Sequence, residues 1–376
     1  MVKPDVGRFA KIKVLGIGGG GCNAINTMIS DNQIQGVDFI AINTDAQALL
    51  NNLAPVKLQI GENLTRGLGV GGNPELGRQA AEESREKIAQ HLLDTDMVFV
   101  TAGFGGGSGT GASPIVCQIA REQGALTVAV VSKPFAFEGT RRMVVAQEGV
   151  EKLEGNVDAL IVIPNQKLLD SIDRKMTLLE AFRVADSVLG QGVQGISDII
   201  TLPGLINRDF MDIKTIIKDA GTAFMGIGTG IGENRAQAAA RSAISSPLLE
   251  VSIDGAKGIL FTITGGADLT MNEVDEAAKI ISEKADADAN IIFGATIDEK
   301  MIDQLKITVI ATGFDESRTQ MARFMTPNSP IRTAQQQESP TDEIKKEEIK
   351  EPPKDDTSSD EMGEAFEIPA FLRQGR

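Results

Sequence analysis

The sequence predicts an α/β fold, with a parallel sheet, a long central helix and a second, smaller α/β domain. Unbroken apolar runs such as 11–18 and 96–103 alternate with helical patterns, which is typical of a parallel sheet covered on both faces. An apolar stripe recurs at three- and four-residue steps over 177–200, which predicts one long helix. Further apolar runs at 258–266 and 307–314 predict strands of the second domain.

The first domain is Rossmann-like in its pattern. Its predicted strands are 11–18, 37–43, 96–103, 125–132 and 157–164. Helical patterns follow at 22–30, from Asp45, from about 75 to 92, at 111–122 and at 139–154. Parallel sheets of this kind bind ligands at the carboxyl ends of their strands, so we expect the site there.

The central helix carries its apolar stripe on Leu178, Phe182, Ala185, Leu189, Val193, Ile196 and Ile200. Three glycines, at 190, 192 and 195, each weaken it by up to ~1 kcal/mol relative to alanine, so burial must compensate. In the second domain, 270–284 predicts a helix. We divide the chain into a flexible N-terminus (1–10), a first domain (11–176), the central helix (177–201), a second domain (202–315), a linker (316–361) and a terminal peptide (362–376).

The linker is predicted to be disordered, because nine acidic residues and four lysines within 341–361 leave little apolar surface to bury. Apolar residues return in the final FEIPAFLRQGR, which predicts a docking peptide at the end of a disordered tail.

Composition excludes several classes of function. A net charge of −15 argues against electrostatic binding to nucleic acid or to anionic membranes. No signal peptide or run of ~18 apolar residues is evident, so a cytoplasmic location is expected. The single histidine, His91, argues against histidine-based catalysis, and two cysteines indicate neither a disulfide framework nor a metal site.

Two glycine-rich loops follow predicted strands. GIGGGGCNA (16–24) satisfies G-x-G-x-x-G with Asp45 further on, which taken alone predicts a dinucleotide site for NAD. The second loop, GFGGGSGTG (103–111), argues against an NAD site, because an NAD-binding fold has no need for a second such loop. Glycines let the backbone close on phosphate oxygens, and the hydroxyls of Ser108 and Thr110 add donors. Two loops at one sheet edge can hold a nucleotide's phosphates without lysine.

The motifs together resemble the FtsZ family, the tubulin-superfamily GTPases of bacterial cell division. They are GIGGGGCNA, NTD (43–45), GGGSGTG, PFAFEGTRR (134–142), NRDFMD (207–212) and the terminal EIPAFLR. The resemblance covers 10–315 and the last ten or so residues.

The resemblance implies a GTP site. Its implied nucleotide-binding residues are Gly19, Gly20, Gly21, Cys22, Asn23, Gly105, Gly106, Gly107, Ser108, Gly109, Thr110, Glu138, Arg142, Asn165, Phe182 and Asp186, with Asn165, Phe182 and Asp186 at the guanine. Three alternatives stay open: Glu138 and Arg142 form an ordinary ion pair, Phe182 belongs to the helix core, and loop 65–75 is a surface loop rather than a γ-phosphate sensor.

The resemblance also implies that Asp209 and Asp212, assisted by Asn207, complete the GTP site of the next subunit in a filament. The alternative is that these acids only cap a helix. Mg²⁺ is implied as the companion of GTP and GDP, with no protein metal cluster. The expected partners are further copies of the chain and, through 364–374, membrane-anchoring adaptors such as FtsA, SepF or ZipA at the midcell division ring. A nucleotide-binding scaffold without hydrolysis remains a third hypothesis beside the NAD enzyme.

Overall fold

The computed structural model describes residues 10–31, 34–170, 176–201, 209–246, 253–299 and 301–314. The strands within these residues are β1 (Ile12–Ile17), β2 (Val37–Asn43), β3 (Val56–Gln59), β4 (Met97–Gly103), β5 (Leu126–Lys133), β6 (Ala159–Pro164), β7 (Gly221–Ile231), β8 (Gly258–Gly265), β9 (Asn290–Ile297) and β10 (Gln304–Thr312). The helices are α1 (Gly18–Ser30), α2 (Ala46–Leu50), α3 (Glu62–Thr65), α4 (Pro74–Glu83), α5 (Arg85–Leu92), α6 (Ser108–Glu122), α7 (Thr140–Glu154), α8 (Asn165–Asp170), α9 (Leu178–Thr201), α10 (Phe210–Ile217), α11 (Arg235–Ile244) and α12 (Met271–Ser282), with a short 3₁₀ helix at Ala136–Glu138.

The strands form one mostly parallel sheet in the order β3-β2-β1-β4-β5-β6-β7-β10-β8-β9. Strands β1 to β7 pair in parallel, β10 runs antiparallel to both β7 and β8, and β9 is parallel to β8. The second set of strands joins the first through Gly221–Ala223, which pair with Ala159–Ile161. This arrangement confirms the predicted α/β class.

The winding of the sheet reverses at β1, which lies between β2 and β4. Such a reversal opens a crevice outside the carboxyl ends of the two strands that flank it. Strand β1 ends at Ile17 and β4 ends at Gly103, so each glycine-rich loop leaves the sheet at this crevice.

Helix α9 is the predicted central helix, and most of its stripe is buried. Its glycines allow close approach to the sheet: a Cβ added at Gly192 would lie 3.0 Å from Val130, and one at Gly195 would lie 2.9 Å from Thr308. The stripe prediction is wrong at its beginning, where Leu178 is 61% exposed and Phe182 is 40% exposed. These two residues do not belong to the core.

The starts of two helices also differ from the predicted ones, because a sequence pattern treats glycine as a residue that breaks helices. Helix α1 starts at Gly18 and α6 starts at Ser108, several residues before the predicted starts at 22 and 111. Strand β7 contains four glycines and was not predicted. A Cβ at Gly228 or Gly230 would collide with a backbone oxygen of α11, so these glycines let helix and strand pack in direct contact.

Candidate functional site

The two glycine-rich loops touch each other at the crevice. A Cβ built on Gly18 would lie 2.7 Å from the backbone nitrogen of Gly109, and one on Gly20 would lie 3.1 Å from the Cα of Gly103. Gly18 also has φ of +71°, a left-handed conformation that favours glycine. Residues with side chains at these positions would push the loops apart, so the glycine content serves loop-to-loop contact as well as any ligand.

Both loops place a helix start at the crevice. In the described part of the chain, neither α1 nor α6 has a side chain capping its first turn, and neither first turn contains an acidic residue. Free N–H groups and the positive ends of two helix dipoles therefore face one region. A Cβ added at Gly19 or Gly106 would meet no protein atom within 4 Å, so open space lies beside both loops. These features fit a chain of phosphates.

Other glycines and Asn23 have different surroundings. A Cβ at Gly21 would collide with the carbonyl oxygen of Thr101, and one at Gly107 would collide with the side chain of Val70. Gly105 has φ of +97° and would bring a Cβ within 2.8 Å of the Arg142 carbonyl oxygen. These three glycines shape the loops by packing, whereas Asn23 is exposed.

Two hydroxyl groups hold the second loop in place. The Thr110 hydroxyl accepts the N–H of Gly105 at 3.0 Å, which closes the loop on itself. The Ser108 hydroxyl lies 2.7 Å from that of Thr44, which is fully buried. The Thr65 hydroxyl in turn donates to the Thr44 carbonyl oxygen at 3.3 Å. Thr44 belongs to the NTD motif, but sequence reasoning did not assign it a contact.

Cys22 lies behind the first loop. Its thiol is buried and lies 3.7 Å from the carbonyl oxygen of Gly16, with the Asn43 amide 4.0 Å away. Burial raises the pKa of the Cys22 thiol to about 12, so it stays neutral at physiological pH. The side chain supports the loop from the sheet side and is not a reactive thiol.

Three predicted base-pocket residues follow β6 and begin α9. Asn165 is 5% exposed, and within the described residues its Oδ1 atom has no hydrogen-bond partner. Burial raises the pKa of Asp186 to about 7. Helix α8, which begins at Asn165, packs against α9. A buried acceptor without a donor is costly, so this site is prepared for a ligand that donates hydrogen bonds.

Phe182 lies in an aromatic cluster at the same sheet edge. Its ring meets Phe135 edge-on, with centroids 5.4 Å apart, and Phe137 edge-on at 6.4 Å. Phe135 is buried, whereas Phe182 keeps 40% of its surface exposed. Part of the Phe182 side chain is therefore accessible to a ligand at this edge.

Glu138 and Arg142 form an ion pair at 2.6 Å. Glu138 also accepts the N–H of Phe135 at 2.9 Å, so its carboxylate organises the turn after β5. The two side chains are thus paired with each other in this structure, and their implied contact with the nucleotide stays a prediction. Arg142 remains more than half exposed and can exchange partners.

Asp209 and Asp212 lie far from the glycine-rich loops. Asp209 caps α10 by accepting the N–H of Asp212 at 2.8 Å, as the capping interpretation predicted. Two residues of α10, Phe210 and Lys214, line a recess together with 93–96 and 123–124. Those segments immediately precede β4 and β5, so α10 lies at the amino-end edge of the sheet. The seven residues of β4 separate this edge from the glycine-rich loops by about 20 Å. Asn207 lies outside the described residues.

The described residues contain neither a metal-binding cluster nor a membrane-spanning helix. Among them no group of three acidic, histidine or cysteine side chains is arranged to hold a metal ion. Nor does any helix there have the length and apolar character needed to cross a bilayer.

Comparisons with known proteins decide the family. The GTPase domain of the tubulin/FtsZ family matches residues 11–173, and the C-terminal domain of the FtsZ family matches 221–315. An empty FtsZ dimer from M. jannaschii is 47% identical and superposes with a TM-score of 0.78, covering 81% of this chain and 89% of that one.

The chain belongs to the FtsZ family. It carries the family's GTPase domain and is therefore a guanine-nucleotide-binding GTPase, which confirms the resemblance and excludes the NAD alternative. A mutant form of M. jannaschii FtsZ is 48% identical over 81% of this chain and 91% of its own, with a TM-score of 0.78. CetZ2 from Haloferax volcanii, a GTPγS-bound protofilament, shares the fold at 20% identity, with a TM-score of 0.68 over 84% of this chain and 97% of that one.

Proposed function

We propose that this FtsZ-family protein hydrolyses GTP at sites shared by two subunits of a head-to-tail filament. One subunit binds GTP at its glycine-rich loops, and the next subunit contributes Asp212 and Asp209 from the start of α10. Hydrolysis to GDP and phosphate then depends on assembly. The filaments would form the cytokinetic ring at midcell and recruit other division proteins there.

The observation that carries this proposal is the placement of α10. Helix α10, which carries Asp212 and is capped by Asp209, lies at the amino-end edge of the sheet, and the length of β4 separates that edge from the loops by about 20 Å. A carboxylate cannot reach a γ-phosphate of its own subunit over that distance. A second subunit stacked in the same orientation would bring the two edges together, and such head-to-tail contacts propagate into filaments.

Exposed apolar side chains at both edges support the same arrangement. At the carboxyl-end edge, Leu68 is 86% exposed and Phe137 is 57% exposed. At the opposite edge, Met211 is 61% exposed and Leu93 is 57% exposed. Exposed apolar groups on two opposite edges fit a contact that buries both at once. An FtsZ dimer of M. jannaschii and a CetZ2 protofilament of Haloferax volcanii are assemblies of related proteins.

Each part of the shared site has a separate chemical task. The N–H groups at the starts of α1 and α6 would hold the phosphates, which leaves the γ-phosphate positioned for in-line attack. Mg²⁺, when present, would be held by phosphate oxygens and water, and it would neutralise charge developing on them. Within the nucleotide-binding subunit, the Asp45 carboxylate after β2 is engaged in a structural contact, because it caps α2 by accepting the N–H of Gln47 at 2.9 Å. Asp212 of the next subunit would orient the attacking water.

The base pocket supports guanine as the base. Guanine offers two donors, N1–H and the exocyclic amine, to a carboxylate such as Asp186. The Oδ1 atom of Asn165, which has no partner among the described residues, is a further acceptor, and the exposed part of the Phe182 ring would stack on the base. Adenine has an acceptor at N1 and a donor only on its exocyclic amine, so it cannot present two adjacent donors to the carboxylate.

The terminal peptide 364–374 is proposed to bind a membrane-anchoring adaptor of the FtsA, SepF or ZipA type. This peptide and the linker lie outside the described residues, so the proposal rests on their sequence alone. It requires no direct insertion into the membrane.

Complementation between two inactive variants tests the shared site. Asp212→Asn keeps the nucleotide loops but lacks the carboxylate, and Gly106→Ala fills the phosphate space but keeps α10. Each alone should hydrolyse little GTP, whereas an equimolar mixture should regain activity, because an Asp212→Asn pocket can be completed by a Gly106→Ala subunit. The control mixes Asp212→Asn with the double variant carrying both substitutions and should stay inactive. Activity equal to the sum of the components would contradict the proposal.

A further inference from the structure

Helix α6 connects the two halves of the GTPase machinery within one subunit. It begins at Ser108 in the second glycine-rich loop and ends at Glu122, so its 15 residues extend about 22 Å. Its far end therefore reaches the amino-end edge of the sheet, where α10 lies. Gln123 and Gly124, which follow α6, line the recess that Phe210 and Lys214 of α10 also line.

Arg121, in the last turn of α6, makes a direct connection to the segment after α10. Its Nη2 atom lies 2.8 Å from the Asp219 carboxylate, and its Nη1 donates to the carbonyl oxygen of Gly155 at 3.4 Å. Asp219 follows the end of α10 by two residues. The Asp158 carboxylate, which is buried, lies 3.6 Å from the same guanidinium. One side chain thus joins the end of α6 to two other segments, the one before β6 and the one after α10.

The turn that holds Asp219 is closely defined. Asp219 has φ of +52°, and the next residue, Ala220, donates its N–H to Ile217 at 3.2 Å. Gly221 then donates to the carbonyl oxygen of Asp158 at 3.0 Å. Asp158 therefore contacts the turn with its backbone carbonyl oxygen, and it approaches Arg121 with its carboxylate. A displacement at this turn would move α10, which is only eight residues long, together with its N-terminal acids.

We propose that Arg121 is a positioning residue for hydrolysis. By tying the end of α6 to Asp219, it sets the position of α10 and hence of the Asp212 carboxylate that completes the neighbouring site. The same connection links that position to the phosphate loop at the other end of α6. This inference rests on the proposed shared site.

The pair with Asp219 should matter little for stability, because Asp219 is 60% exposed and exposed pairs contribute little to folding. The buried Asp158 carboxylate also accepts the N–H of Thr127 at 2.8 Å, and Asp219→Asn leaves its approach to Arg121 in place. Positioning is far more sensitive, because displacement of a catalytic group by about 1 Å can cost up to ~100-fold in rate. Loss of the connection between Arg121 and Asp219 should therefore lower turnover while the protein stays folded and binds GTP normally.

The test measures two quantities in Arg121→Gln and Asp219→Asn. One is kcat at protein concentrations where the rate per subunit has reached its plateau, and the other is the Kd for GTP. Asparagine tolerates the left-handed conformation at 219, so the second variant removes the charge and keeps the turn. We expect kcat to fall roughly tenfold in both, with Kd unchanged, and Arg121→Lys to recover most of the activity. Arg85→Gln is the matched control: Arg85 pairs with Glu122 of the same helix end at 2.8 Å and is similarly exposed, but its partners do not include α10.

Wild-type kcat in both Arg121→Gln and Asp219→Asn would overturn the inference and leave the shared site intact. A fall in kcat equal to that of Arg85→Gln would also overturn it, because a general loosening of α6 would then explain the effect. Hydrolysis by the wild type that does not depend on assembly would instead contradict the proposed function.

Discussion

The hydroxyl oxygens of Thr44 and Ser108 lie 2.7 Å apart, which joins the end of β2 to the loop that begins α6. Thr44 also accepts a hydrogen bond from Thr65, in the segment before the glycine-rich loop at 67–72. The position of the second glycine-rich loop is thus fixed from the side by a buried hydroxyl.

Replacing Thr44 with valine should weaken GTP binding while the fold is retained. The change keeps the shape but removes the partner of Ser108, and one such hydrogen bond contributes about 0.5–1.5 kcal/mol, or roughly two- to tenfold in Kd. The Kd can be measured by calorimetric titration with GTP. Thr127→Val is the control, because Thr127 is equally buried but bonds the Ala125 carbonyl oxygen, before β5. Equal affinity in the Thr44 variant and the wild type would show that the hydroxyl pair does not position the loop.

Gly106→Ala should weaken GTP binding without lowering the melting temperature. A Cβ at this position meets no protein atom within 4 Å, so the methyl group costs the apoprotein little but occupies the space proposed for phosphate. We expect at least a tenfold rise in Kd, which corresponds to about 1.4 kcal/mol. Gly155→Ala is the matched control. A Cβ at Gly155 would also meet no protein atom within 4 Å, but this residue lies at the end of α7. Unchanged affinity in Gly106→Ala would place the phosphates elsewhere.

GTP affinity should fall as the pH is lowered from 8 to 6. The pKa of Asp186 is raised to about 7 by burial, so in the free protein the carboxyl becomes protonated below that pH. Guanine's two donors require the ionised form, so proton and base compete, and affinity should drop about tenfold per pH unit below the pKa.

Two variants isolate this effect. Asp186→Asn should bind weakly at every pH and lose the dependence. Asp198→Asn should keep it, although burial also raises the pKa of Asp198 to about 7, because Asp198 lines a different cavity with Lys306 and Thr308. A wild-type affinity that is flat between pH 6 and 8 would argue against Asp186 as the guanine ligand.

The sequence predicted the parts of the fold that depend on local pattern. Strand β2 was predicted residue for residue, and the central helix α9 within one residue at each end, because apolar periodicity is strong in both. The glycine-rich starts of α1 and α6 were missed, since local propensity penalises glycine and only the contact between the loops stabilises them.

The site was predicted as a set of residues but not as a set of contacts. The motifs predicted the loops and the acids of α10 as site residues, which stays a prediction. The contacts of Thr44 with Ser108 and of Arg121 with Asp219 could not be predicted, because they join segments 64 and 98 residues apart. No periodicity encodes such pairs. The exposure of Phe182, which separates the core interpretation from the base-stacking one, likewise depends on how α9 meets the aromatic residues after β5.

The central claim is that one subunit does not contain a complete active site. The most direct test is the rate of GTP hydrolysis per subunit, with magnesium, as total protein is raised from nanomolar to micromolar concentrations. We predict negligible turnover in dilute protein, a steep rise above a threshold and then a plateau. Turnover per subunit that stays constant down to the most dilute samples would contradict the shared site and the assigned role of Asp209 and Asp212.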